Sequence, residues 1–139
     1  MVVQKSLSFR TSGRGSHEIT SDVNQLVSAS GITQGICNLF VLHTSASLMV
    51  CENADPDVRR DLETVMQRLA PDGDPAYIHT TEGPDDMAAH ARTVLTDSSL
   101  SLPVQQGRCI LGTWQGIYLW EHRTRPQQRK LMVTIYGEK

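Results

Sequence analysis

Four polar clusters in this chain carry residue types able to hold ions or move protons. The first, His43-Thr44-Ser45-Ala46-Ser47, follows directly on the apolar run Leu39-Phe40-Val41-Leu42. Side chains at the end of such a strand face solvent or a cleft, where imidazole and hydroxyl groups bind anions or pass protons. The same hydroxyls serve equally well to satisfy backbone groups of a turn. No nucleophile-elbow pattern accompanies them, which speaks against a Ser-His hydrolase.

The second cluster is Glu52-Asn53-Ala54-Asp55-Pro56-Asp57, followed by Asp61. Asp57 and Asp61 share one helical face and repel each other unless a cation intervenes, an arrangement that suits Mg²⁺. An acidic first turn also simply complements the helix dipole. The third cluster is His79 followed by Glu82, Asp85, Asp86 and His90. Two histidines with carboxylates between them make a divalent-metal site or an acid-base pair, although the spacing matches no zinc fingerprint. The fourth runs from Leu111 to Arg123 and contains Thr113-Trp114-Gln115-Gly116-Ile117-Tyr118-Leu119-Trp120-Glu121. Read as one strand, it has an aromatic face (Trp114, Tyr118, Trp120) and a mixed face ending in Glu121. Such a tryptophan stripe is more often core or interface than ligand platform.

The elements that must position these groups follow from patterning. Val2 to Thr11 alternates as a half-buried strand and is broken at Gly13-Arg14-Gly15. Thr20 or Ser21 is placed to cap a short helix that presents Val23, Leu26 and Val27, with Gly31 at its C-terminus. Strands are expected over 35–44 and 45–50. Asp55-Pro56 starts a second helix with Val58, Leu62, Val65, Met66 and Leu69 inward. Pro84-Asp85-Asp86 opens a third helix, with Met87, His90, Ala91, Val94 and Leu95 on its buried side. The remainder reads as consecutive antiparallel strands, over 99–104, 108–123 and 130–136. The order argues an α+β fold rather than a regular βαβ repeat.

Length and composition narrow the class. The 139 residues fit one domain, 1–139, large enough to bury its own core. With 39% apolar and 20% charged residues the chain is ordinary globular material, not disordered and not membrane-spanning. A net charge of -2 gives no broad attraction for nucleic acid or anionic membrane; the one basic run, Arg123, Arg125, Arg129 and Lys130, reads as a solvated hairpin. Cys37, Cys51 and Cys109 form an odd set without CxxC spacing. Cys37 and Cys109 read as buried small hydrophobes, and Cys51 has no basic neighbour to favour a thiolate. With no stretch of secretory length near Met1, the cytoplasm is the expected compartment.

Taken together, the clusters resemble the YjbQ family, also called secondary thiamine-phosphate synthase. The resemblance runs from Gln4-Lys5 to Thr134-Ile135-Tyr136-Gly137-Glu138. It is most specific at His43-Thr44-Ser45-Ala46-Ser47-Leu48, Glu52-Asn53, Gly83-Pro84-Asp85-Asp86-Met87…His90 and Gly112-Thr113-Trp114-Gln115-Gly116-Ile117. It implies a single-domain α/β sandwich with a mixed, mainly antiparallel sheet, about three helices and assembly as a homotrimer. The activity implied is a weak thiamine-phosphate synthase reaction, joining hydroxymethylpyrimidine diphosphate to thiazole phosphate with release of pyrophosphate.

The resemblance raises His43, Ser45, Glu52, Asp86, Gln115 and Glu121 to candidate catalytic residues. It makes His79 and His90 candidate ligands for a divalent ion, Mg²⁺ or Zn²⁺, and Trp114 a stacking platform for a heterocycle. Ser45 and Gln115 would donate hydrogen bonds to phosphate oxygens. His17 and His122 lie outside the diagnostic pattern. No Walker-type phosphate cradle is present, a real deficit for two phosphorylated substrates. The alternative reading is a non-catalytic trimer that binds a metal or small anion through the same residues.

Overall fold

A computed structural model describes Met1–Lys139. The chain runs β1 (Val2–Arg10), β2 (Gly15–Glu18), α1 (Thr20–Ser30), β3 (Gln34–Val41), β4 (Ala46–Glu52), α2 (Pro56–Leu69), α3 (Asp86–Leu95), β5 (Ser99–Gln105), β6 (Arg108–Cys109), β7 (Gln115–Glu121) and β8 (Gln128–Glu138). A five-stranded sheet has the order β1-β8-β3-β5-β6, and a three-stranded sheet the order β2-β7-β4. Every strand pair is antiparallel, so the domain is α+β with two facing sheets.

Period-2 patterning builds the core between them. Cys37, Leu39 and Val41 of β3 and Leu131, Val133 and Ile135 of β8 meet Ala46 and Leu48 of β4 and Ile117 and Leu119 of β7. Helix α1 adds Val23 and Val27 to the same cluster. Helix α2 packs on β2 and β4, and α3 on β4, so both lie over the small sheet.

The local signals that hold are short-range ones. Asp55 caps α2 by accepting from the Asp57 N–H, and Pro56 occupies its first position. Gly31 ends α1 with φ 76°, a left-handed conformation only glycine adopts without strain.

Other expectations are corrected. Thr20 does not cap α1: its hydroxyl accepts from the Ile117 N–H and donates to Glu18, fastening β2 and β7 together at the helix start. Strand β2, GSHE, has no apolar alternation to mark it in the sequence. The expected strand over 108–123 divides into β6 and β7, and β7 leaves the large sheet for the small one, so the last strands are not a meander. Helix α3 is turned over relative to its apolar stripe. It buries Asp86, Ala88, Ala89, Arg92 and Thr93, while Val94 and Leu95 are 84% and 58% exposed. Two alanines let the helix approach closely, and Arg92 finds acceptors beneath it, so the small and polar face wins. On α2, Val65 and Leu69 are likewise exposed and only Met66 is buried.

Candidate functional site

The candidate site lies where α3 begins, against the chain that leaves β7. Gly83, with φ 101°, turns the 79–84 arm back so that His79 reaches the first turn of α3. His79 Nε2 stands 2.7 Å from Asp86 Oδ2, and His90 Nε2, one helical turn on from Asp86, stands 3.2 Å from the same oxygen. The two imidazoles meet edge to face, with ring centroids 5.4 Å apart. The three donor atoms all lie within 4.8 Å of one another. The Asp86 side chain is 7% exposed, and His79 and His90 are 42% and 33% exposed. One buried carboxylate is thus flanked by two imidazoles open to solvent.

Arg123 holds the carboxylates in place. Its Nη1 donates to Asp86 Oδ1 at 2.9 Å, its Nε to Asp85 Oδ2 at 2.9 Å and its Nη2 to the Glu82 carbonyl at 3.0 Å. Asp85 also accepts from the Thr124 N–H. Burial alone would raise the Asp85 pKa, but the Arg123 and Thr124 hydrogen bonds and the Arg123 charge outweigh it and bring it down to about 2. Asp86 is lowered too: against burial stand the His79 hydrogen bond and the charges of His90 and Arg123. Both acids are therefore carboxylates at neutral pH. Arg123, which in the sequence reads as part of a solvated basic run, is instead committed to Asp85 and Asp86. Its place beyond a buried strand, with paired acids elsewhere in the chain, was the available signal.

Directly behind this group lies a second, buried one. Glu121, 0% exposed, accepts from Thr11 Oγ1, from Arg129 Nε and Nη2, and from the Arg123 N–H. Arg129 also donates to the Ser45 hydroxyl and carbonyl. Arg129 is thus another member of the supposed solvated run that the fold buries. His43 accepts the Lys130 N–H at Nε2, which makes it a neutral imidazole protonated at Nδ1. Burial, then the Arg129 charge, depress its pKa, with Glu121 opposing them. His122 is wholly buried beside Ser47 Oγ at 2.8 Å. Burial and the charges of Arg92, Arg14 and Arg129 push its pKa down to about 3.

The sequence-derived candidates thus fall into two places. His43, Ser45, Glu121, His79, Asp86 and His90 gather at one end of the small sheet. Glu52 and Gln115 pair at the other end of β4 and β7, six residues or about 20 Å along the strands. There Glu52 accepts the Asp55 N–H, Gln115 accepts the Gly112 N–H, and Trp114 is 64% exposed in the loop before β7. The expected aromatic face is split accordingly, since Tyr118 and Trp120 are buried under the helices. Beside His79 opens a cleft of about 380 Å³ lined by Gly73, Asp74, Tyr77, Thr80 and Pro84 among others.

Chemically, the donor set of two imidazole nitrogens and one carboxylate oxygen fits a tetrahedral or octahedral divalent ion with positions left for water or substrate. Arg123 on the outer carboxylate oxygen is the kind of support that orients a ligand.

Fold and site together define an α+β domain of two facing sheets with a histidine–carboxylate centre at one end of the smaller sheet. The chain belongs to the family described as UPF0047 protein YjbQ-like, whose model matches residues 5–138. It is 48% identical over 135 residues to a UPF0047 protein of Synechocystis sp., covering 97% of this chain and 92% of that one. It is 42% identical to the UPF0047 protein YjbQ of Escherichia coli O157:H7, over 99% of this chain and 100% of the other. An uncharacterized YjbQ/UPF0047 structure from Clostridium acetobutylicum superposes with a TM-score of 0.87 at 36% identity, covering 95% and 99% of the two chains.

Proposed function

We propose that this chain is a divalent-metal-dependent enzyme acting on a small metabolite, with His79, Asp86 and His90 as metal ligands. The observation that carries this reading is the convergence of two imidazole Nε2 atoms on one buried carboxylate oxygen, 2.7 and 3.2 Å away. A divalent ion bound there would supply Lewis acidity and neutralise an anionic leaving group. Asp86, ionised and pinned by Arg123, needs no proton loss to act as a ligand.

The finer reading is thiamine-phosphate synthase activity, brought by the family resemblance. In it, loss of pyrophosphate from hydroxymethylpyrimidine diphosphate leaves a benzylic-type cation that the thiazole nitrogen captures. The domain's contribution would be orientation and leaving-group neutralisation. The cleft beside His79 is lined by neither lysine nor arginine, so any charge compensation there rests on the ion. This agrees with a secondary activity rather than a dedicated one.

The test is the rate of thiamine phosphate formation from both precursors with Mg²⁺, comparing wild type with His90→Ala and Asp86→Asn. A rate of about 1 per second or more that both substitutions abolish supports the synthase. A far slower rate, or one indifferent to His90, removes the synthase and leaves the metal centre to be tested by metal content and metal-dependent melting.

The second reading, a non-catalytic trimer binding a metal or small anion, is favoured by apolar side chains exposed on neighbouring elements. Ile78 is 98% exposed, Val94 84% and Leu69 62%. Exposure of this kind suits an interface between copies of the chain. Sedimentation as a monomer at micromolar concentration would remove the trimer. Three free cysteines accord with the reducing cytoplasm, and no helix is long and apolar enough to cross a membrane.

A further inference from the structure

The cleft of about 380 Å³ beside His79 is formed by the segment 73–84, which joins α2 to α3. The Gly73 N–H donates to the Pro84 carbonyl at 2.9 Å and closes the segment into a loop whose ends touch. Inside it the Asp74 carbonyl accepts the Tyr77 N–H at 3.0 Å, and Asp74 Oδ1 accepts the Ala76 N–H at 2.9 Å. This turn fixes Asp74 and Tyr77 relative to each other, and both line the cleft together with His79.

The turn accounts for one Asp74 oxygen but not for the charge. An asparagine would accept the same N–H, since only Oδ1 is used. Asp74 takes part in none of the chain's ion pairs, and neither lysine nor arginine lines the cleft. In Asp86, by contrast, one oxygen is held by Arg123 at 2.9 Å. Tyr77 is half-buried and contributes the cleft's one apolar ring. Its hydroxyl bonds to nothing in the chain, whereas that of Tyr118 meets Arg59 and the Glu52 carbonyl. A carboxylate without a counter-charge and an aromatic ring thus line one concave site.

We infer that the cleft takes the cationic nitrogen of a small substrate, an ammonium or amidinium group on or near a ring, paired with Asp74 and set against Tyr77. A carboxylate attracts such a cation, and the electron-rich face of a phenol ring adds a cation–π contribution. An anionic group in the same place would meet Asp74 with no guanidinium or ammonium to offset it. A wholly apolar group would strip water from the carboxylate without replacing it. The volume suits one ring with a short substituent. Because His79 lines the cleft and belongs to the histidine centre, the rest of the substrate reaches the ion. The inference deepens the metal-enzyme reading by giving its substrate a basic nitrogen, and only that last placement rests on the reading.

The cleft can be tested without the ion. Benzamidinium and benzoate, alike in size and opposite in charge, are titrated into the full chain in the presence of a chelator and followed by NMR at Asp74, Tyr77 and Thr80. Benzamidinium should bind saturably there, and benzoate should not. Asp74→Asn keeps the turn and should weaken benzamidinium binding by about fivefold. Tyr77→Phe should bind as the wild type does, and Tyr77→Leu about threefold more weakly. His90→Ala should leave the binding unchanged. Benzoate binding as tightly as benzamidinium, binding indifferent to Asp74→Asn, or shifts confined to other parts of the molecule would each overturn the proposal. If the wild type takes up no Zn²⁺ yet binds benzamidinium in this way, the metal reading falls and the cleft assignment stands.

Discussion

At one end of the three-stranded sheet Glu121, His122, Ser45 and Arg129 are buried and bind one another. At the other end Glu52, Gln115 and Trp114 stand in or near solvent, and the Glu52 and Gln115 side chains bind the backbone of their own turns. Both ends carry polar motifs beside apolar strands, and in the sequence they look alike. The difference lies in what stands behind them. The Glu121 end is backed by two arginines and by α3, which brings Asp85 and Asp86 within reach of Arg123. A buried ionic layer fixes the chain where it leaves β7, and the exposed histidines are mounted on that rigid base. At the Gln115 end Arg59 of α2 donates to the Glu52 carbonyl and the Tyr118 hydroxyl, and the Glu52 and Gln115 side chains themselves bond only to turn backbone. Pre-organisation, rather than the mere presence of polar side chains, separates the two.

The largest test of this contrast is Arg129→Met, which strands the Glu121 carboxylate without its buried partner. Urea denaturation should show a loss of about 3–5 kcal/mol, against less than about 1 kcal/mol for Gln115→Ala. Equal losses at the two ends would break the comparison.

Next in size is an acid response centred on His122. Its folded pKa is about 3, and the unfolded value is 6.5. Above pH 6.5 the ring is neutral in both states and the stabilisation is fully present. As pH falls through 6.5 the unfolded chain gains a proton that the folded chain refuses until about pH 3. Stability should therefore drop by up to about 1.4 kcal/mol per pH unit across that window. His122→Gln should flatten the slope; a slope unchanged by the substitution would mean that other groups carry it.

A smaller effect sharpens the picture of the histidine centre. Melting of the wild type should rise with added Zn²⁺, by about 2.7 kcal/mol at a hundredfold excess over Kd, and Asp86→Asn should remove the rise. Smallest of all, Trp114→Ala should change stability by less than about 0.5 kcal/mol, since the ring is 64% exposed. A large loss would show that something packs on Trp114 in solution.

What could be read in the sequence was local. Asp55-Pro56, Gly31 and the alternation of β1 act through neighbours in the chain, and each placed its element. The cluster His79, Asp86 and His90 was legible because seven and four residues separate its members. The support for that cluster was not. Arg123 meets Asp85 across 38 residues, and Ser45 meets Arg129 across 84, so no window along the chain contains both partners. Arginines after a strand look solvated until those partners appear. Helix α3 misled for a related reason: its apolar stripe of Val94 and Leu95 has no partner within the domain, whereas Ala88 and Ala89 do.

The position of β8 has a consequence for how the molecule is made. Gln128–Glu138, the last strand of the chain, lies between β1 and β3 and pairs with both along most of its length. Until β8 has been made, β1 has no partner in the sheet and β3 is paired only on its β5 side. The five-stranded sheet therefore closes through contacts that span most of these residues, which makes for slow folding. During that interval the alternating strand β1 is an open edge, and it is the segment a chaperone or another nascent chain would meet first.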